Sequence, residues 1–143
     1  MTVCGGLVGL KGLKSLWLQD LWLVPGDVLA LTALIGLTSL ALIHMHEEVY
    51  VEAATSLVRS LTQLEYLNLW RCDVDLSSMA LLAAVGQLKQ LTYLNHEGNA
   101  GLTQQGLMQL TGLKRLQMLH VDCNEEVTDH VVDGFWAAVR QCV

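Results

Sequence analysis

The sequence predicts an α/β solenoid of five strand–helix units, and three observations predict it. The first is a motif of spacing L-x-x-L-x-L. It recurs at Leu13/Leu16/Leu18, Leu37/Leu40/Leu42, Leu64/Leu67/Leu69, Leu91/Leu94/His96 and Leu116/Leu119/Val121. The second is its period: the middle leucines, Leu16, Leu40, Leu67, Leu94 and Leu119, stand 24, 27, 27 and 25 residues apart. The third is an apolar stripe of helical spacing between motifs, such as Ala54, Leu57, Val58 and Leu61, or Val132, Phe135, Trp136 and Val139. Alternation along a strand puts the motif leucines on one face, and stacked units bury that face as a continuous core.

A period in the twenties with this motif resembles the leucine-rich repeat family, and the resemblance covers essentially the whole chain. It implies a short strand and a helical return in each unit, stacked as a horseshoe segment with a parallel concave sheet. A right-handed coil follows from the usual hand of strand–crossover–strand connections. The 143 residues read as one domain, 1–143, with units near 10–33, 34–60, 61–87, 88–112 and 113–143. No polar cap precedes Leu10, where the chain runs Met1-Thr2-Val3-Cys4, or follows Val139, where it runs Arg140-Gln141-Cys142-Val143. Solenoids usually need polar terminal units. The sequence therefore predicts a fragment or isoform, or self-association through uncapped ends.

The elements follow in order. Pro25, Gly26 and Asp27 form a turn, and Asp27 is the expected cap of a first helix with Val28, Leu31 and Ile35 on one face. The 54–61 stripe forms the second return. Ser77 and Ser78 precede a third over 79–85, and Thr103 and Thr128 stand where the caps of the fourth and fifth belong. The ninth motif position holds Leu21, Met45, Cys72, Asn99 and Asn124. An Asn or Cys there can satisfy backbone groups of the turn leaving the strand. Asn99, Leu102, Thr103, Gly106 and Leu107, and likewise Asn124, Val127, Thr128, Asp129 and Val132, resemble the cysteine-containing subclass found in F-box-type substrate receptors. The match is partial in unit three and absent from units one and two. The resemblance implies a substrate-receptor or scaffold arm in ubiquitin ligation, although no F-box-like segment is visible.

Composition narrows the partners. The chain is 52% hydrophobic and 15% charged, against about 25% charged in ordinary soluble domains, as a leucine core with apolar ends requires. A net charge of −6 excludes a phosphate-backbone partner, so no nucleic acid is expected. Residues 28–43 carry no charge, but a spanning helix needs about 20 apolar residues, and Leu34, Leu37, Leu40 and Leu42 keep the repeat spacing. No membrane partner or cleavable signal is expected. Cys4, Cys72, Cys123 and Cys142 form no C-x-x-C pair, which suits a reducing, cytoplasmic location rather than a disulfide framework or zinc ribbon.

Residues between the leucines face away from the core and stack into columns. One column is Ser15, Ser39, Tyr66, Tyr93 and Met118, and the next is Trp17, Ala41, Asn68, Asn95 and His120. Beyond them run Gln19, Ile43, Trp70, Glu97 and Asp122, then Asp20, His44, Arg71, Gly98 and Cys123. Tyr66, Trp70 and Tyr93 are expected to form one exposed aromatic patch beside Asn68, Asn95 and Arg71. Aromatics and arginine are enriched at interaction hot spots. The predicted protein-binding face comprises Trp17, Tyr66, Asn68, Trp70, Arg71, Tyr93, Asn95, Glu97, His120 and Asp122. The alternative is that the rings only cover strand backbone. His44 and His46 lack a third metal ligand fixed by spacing and read as a solvated loop with Glu47 and Glu48. Cys72 with His96, or Cys123 with His120, could be drawn as a nucleophile pair, but Cys72 at the ninth site reads as an inert packing thiol. No phosphate loop or carboxylate pair stands out. The sequence predicts a non-catalytic binding module without metal or cofactor.

Overall fold

The computed structural model describes residues 4–141. Cys142 and the extreme chain ends, which enter the sequence reading as an uncapped start and stop, lie outside the described residues. Five strands, β1 (Ser15–Gln19), β2 (Ser39–Ile43), β3 (Tyr66–Asn68), β4 (Tyr93–Asn95) and β5 (Met118–His120), form one parallel sheet in the order β1-β2-β3-β4-β5. Between and after them come α1 (Pro25–Ala30), α2 (Val51–Ser60), α3 (Met79–Val85), α4 (Gln104–Met108) and α5 (Asp129–Val139). Two 3-10 turns, Gly5–Leu7 and Leu31–Ala33, complete the regular structure among the described residues. Sequential parallel pairing fits the repeat, because each helical return brings the chain back one strand along.

The motif leucines pair with one another in register. Leu16 lies beside Leu40, Leu40 beside Leu67, Leu67 beside Leu94 and Leu94 beside Leu119. Leu40, Leu67 and Leu94 are buried together with Ala54, Leu57, Leu81, Leu107 and Phe135 from the helices, in one apolar cluster. Fully burying a leucine contributes about 1.5–3 kcal/mol. That gain is complete in the inner strands and only partial at the two edges, where Leu16, Leu18, Leu119 and Val121 are half-buried.

The turns leaving the strands repeat as well. Asp20, His44, Arg71 and Gly98 occupy the same column, and all are left-handed, with φ of 57°, 51°, 54° and 77°. Below the fourth turn lies Asn99. Its Oδ1 accepts from the Cys72 and Val74 N–H groups at 3.1 and 3.0 Å, and its Nδ2 donates to the Leu69 and His96 carbonyls at 2.7 and 3.0 Å. Asn124 does a smaller version of this in the last unit, donating to the Leu102 carbonyl and accepting from the Glu126 and Val127 N–H groups.

Three helices start as the caps predict. Ser78 Oγ accepts from Leu81 N–H, Thr103 Oγ1 from Gly106 N–H and Thr128 Oγ1 from Val131 N–H. The first helix differs from expectation. Val24, not Asp27, is its cap residue, and Asp27 sits inside the first turn, 1% exposed, accepting from the Val24 and Cys4 N–H groups. Val28 and Leu31 are buried as expected, but Ile35 is 62% exposed. The helix gives way to the tighter 3-10 turn at Leu31–Ala33, which carries Ile35 off the apolar face. Residues 28–43 are therefore split between α1, this turn and β2, and no described helix is long and apolar enough to cross a membrane.

Candidate interaction face of the sheet

With the leucines buried beneath the helices, the odd positions of each strand occupy the sheet's other face. Pairing places Ser15, Ser39, Tyr66, Tyr93 and Met118 in one row and Trp17, Ala41, Asn68, Asn95 and His120 in the next. Adjacent parallel strands lie about 4.8 Å apart, close to ring-stacking distance. The Tyr66 and Tyr93 rings accordingly stack with centroids 4.3 Å apart and planes within 7°. His120 extends this ladder, its ring 5.4 Å from Tyr93 and tilted by 52°.

The two tyrosines are braced identically. Asn68 Nδ2 donates to the Tyr66 hydroxyl at 3.3 Å and Asn95 Nδ2 to the Tyr93 hydroxyl at 3.4 Å. The other end of each amide caps the strand exit, accepting from Trp70 N–H at 3.1 Å and Glu97 N–H at 3.0 Å. Each phenol oxygen therefore accepts a hydrogen bond from an asparagine of its own strand, which fixes the ring. Burial pushes the Tyr93 phenol above its ordinary range, so the proton stays on. His120 Nδ1 lies 3.5 Å from Glu97 Oε1, and Asp122 Oδ2 accepts from Gly98 N–H at 2.6 Å.

The structure stacks Tyr66 on Tyr93 and gives Trp70 different ring neighbours. Trp70 follows the end of β3 and does not stack on the tyrosines. Its ring lies 6.3 Å from that of His44, with the Arg71 guanidinium 5.3 Å from its centroid. Through His44 it joins a second string, in which His44 and His46 lie 5.3 Å apart and His46 stacks on Trp22 at 5.1 Å. Asn68 is also buried, so it braces Tyr66 rather than offering its amide to a partner. Trp17, 59% exposed, stands alone toward β1, donating from Nε1 to Gln19 Oε1.

The other candidate side chains have internal partners. His44 Nδ1 meets Asp20 Oδ1 at 2.6 Å, and that bond holds the Asp20 carboxyl below the usual carboxylate range. Among the described residues no three His, Cys, Asp or Glu side chains gather as a metal site. Cys72 is fully buried, donates to the Leu42 carbonyl, and is pushed up to about 12 by burial, so it carries no thiolate. Cys123 is exposed and donates to Asp129 Oδ1 at 3.3 Å, a bond that raises its pKa. Cys4, Cys72 and Cys123 are free thiols. His96 is a core residue that its side-chain type does not announce. It fills the third leucine position of its motif, is 3% exposed, has neither ring nitrogen hydrogen-bonded, and is pushed down to about 4 by burial. Its signal was its alignment with Leu42, Leu69 and Val121.

The architecture is similar to that of the tropomodulin C-terminal domain from Caenorhabditis elegans, with a TM-score of 0.72 over 95% of this chain and 89% of that one. The identity is 10%. The likeness is one of fold alone. It establishes a leucine-rich-repeat-like α/β fold with a parallel sheet. No protein-family model matches the sequence, and no curated protein matches it.

Proposed function

We propose that this chain is a right-handed solenoid whose open sheet face is concave and recognises a protein partner without catalysis. The observation that carries the reading is the Tyr66–Tyr93 stack, with each ring held by an asparagine from its own strand. Ordering two large rings before binding lowers the entropy lost on association. Each ring offers apolar area beside a polar hydroxyl, the combination found at hot spots. Tyr66, Tyr93, Asn95, His120, Glu97 and Asp122 make the centre of the proposed face, Trp70 and Arg71 its rim, and Trp17 an outlying anchor. The similarity to a tropomodulin domain supports the repeat-like fold on which this face is built.

Affinity capture from a matching cell extract tests the face. A Tyr66→Ala/Tyr93→Ala variant should lose the partner that wild type retains, at about 2 kcal/mol or more for such anchors, while Gln104→Ala/Gln105→Ala on the exposed side of α4 retains it. Equal capture by both variants overturns the assignment. A finer reading, a substrate-receptor or scaffold arm in ubiquitin ligation in the cytoplasm, is supported by the likeness of units four and five to the cysteine-containing subclass.

A second reading is end-to-end association. It is favoured by Leu10 and Met118 being 48% and 49% exposed, and by the half-buried leucines of edge strands β1 and β5. Light scattering should then show mass rising with concentration, and a constant monomer mass at high concentration rejects it.

A further inference from the structure

Away from the sheet face, the segments that follow β1 and β2 enclose a groove of about 380 Å³. Trp22, Leu23, Val24 and Pro25 line it from the first segment, and Glu47, Glu48 and Tyr50 from the second. That size is near the lower end of small-ligand pockets, which run from about 300 to 1,000 Å³, and suits one or two side chains rather than a large cofactor. Its apolar wall faces water: Trp22 is 64% exposed, and Val24 and Tyr50 are each 49% exposed. The Trp22 indole is nevertheless oriented, because it stacks on His46 with the planes 22° apart.

The charge of the groove is one-sided. Among the described residues no lysine or arginine lines it, and neither Glu47 nor Glu48 is in an ion pair. The N-terminus of α2 contributes about half a positive charge, which the two carboxylates outweigh. An oriented indole is the best aromatic face for a cation, and a carboxylate pair beside it completes the charge match. Lysine and arginine carry an apolar stem with a cationic head, so one such side chain can lie along Trp22 and Val24 and end at the glutamates.

We propose that this groove is a second docking site, which takes a lysine or arginine side chain from a basic, extended segment of a partner protein. The site lies beyond the rim of the sheet face and is joined to Trp70 through His46 and His44. Its position at the strand exits lets a partner seated on the sheet reach it with a flanking segment, and two linked contacts then reinforce one another.

The test titrates the full chain with three peptides of sequence acetyl-Gly-Ser-Leu-X-Leu-Ser-Gly-amide, where X is lysine, glutamine or glutamate, monitored by NMR at the Trp22 indole N–H and the Tyr50 ring. Only the lysine peptide should give saturable shifts at both. Trp22→Leu, checked for an unchanged melt, and Glu47→Gln/Glu48→Gln should each weaken it about tenfold or more. Glu125→Gln/Glu126→Gln removes the same charge from another exposed turn and should leave the affinity unchanged. Equal weakening by the two charge variants would mean that the peptide answers only to net charge, and the proposal fails. It fails too if the three peptides bind alike or if none saturates.

Discussion

Two residues in unit four show how far single positions can be read. Asn99 was legible because its type and place announce its work: an asparagine at the ninth position, under a turn with backbone groups to satisfy, makes bonds to two N–H groups and three carbonyls. His96 was not, because the repeat demands a leucine there and the sequence gives no sign that an imidazole accepts the same burial. Its ring nitrogens have no partner and its folded pKa is about 4, against about 6.5 for an unfolded histidine. The fold thus prefers neutral His96, and the unfolded chain binds the proton first. Its contribution is constant above about pH 6.5, falls as pH drops from there to about 4, and levels off below, a loss of about 3 kcal/mol. His96→Leu should erase that part of the slope and raise stability at neutral pH by about 1–3 kcal/mol, since two unsatisfied polar atoms leave the core. Urea melts of both proteins between pH 4 and 7.5 check this. A stability difference between them that does not widen toward acid rejects the buried neutral imidazole.

At the scale of the element, the strands were legible from the leucine spacing and its period, and the last three helices from a Ser or Thr cap ahead of each, joined in α5 by the stripe of Val132, Phe135, Trp136 and Val139. The first return was not. Pro25 and Asp27 announced a helix start, but nothing local revealed that the helix would tighten at Leu31 and expose Ile35. The tyrosine ladder was legible for the same reason as the strands, since register alone aligns Tyr66 with Tyr93. Trp70 escaped because alternation no longer holds once β3 ends at Asn68. Two glycines give opposite predictions on the same argument. At Gly98, φ is +77° and an added Cβ would lie 3.2 Å from Arg71 Cα and N, and closer still to Arg71 Cγ. Gly98→Ala should therefore cost about 1–3 kcal/mol. Gly134 lies exposed within α5 with nothing within 4 Å of an added Cβ. Gly134→Ala should stabilise by about 0.5–1 kcal/mol. Thermal melts that move both variants in the same direction contradict the geometry of the strand-exit turns.

At the scale of the whole molecule, stability is shared between neighbouring units, so the position of a lesion matters as much as its chemistry. Leu67 lies at the centre, 1% exposed, with Leu40 beside it on one strand and Leu94 on the other. A carboxylate there loses the leucine's burial and must either be desolvated without a partner or force the stack open. Either route costs several kcal/mol, out of a total that for domains of this kind is only about 5–15 kcal/mol. Leu16 occupies the equivalent position in edge strand β1, where it is half-buried and has a strand on one side only. The same substitution there leaves the charge a path to water and disturbs a single interface between units. Leu67→Asp should therefore abolish the cooperative melt, while Leu16→Asp should lower the midpoint and leave the transition cooperative. Hydrogen exchange separates the outcomes further: Leu16→Asp should lose protection in β1 and β2 and keep it in β4, whereas Leu67→Asp should lose it throughout. If circular dichroism shows Leu67→Asp melting like wild type, the leucines do not share one continuous core, and the alternation that puts Tyr66 and Tyr93 on the opposite face falls with them.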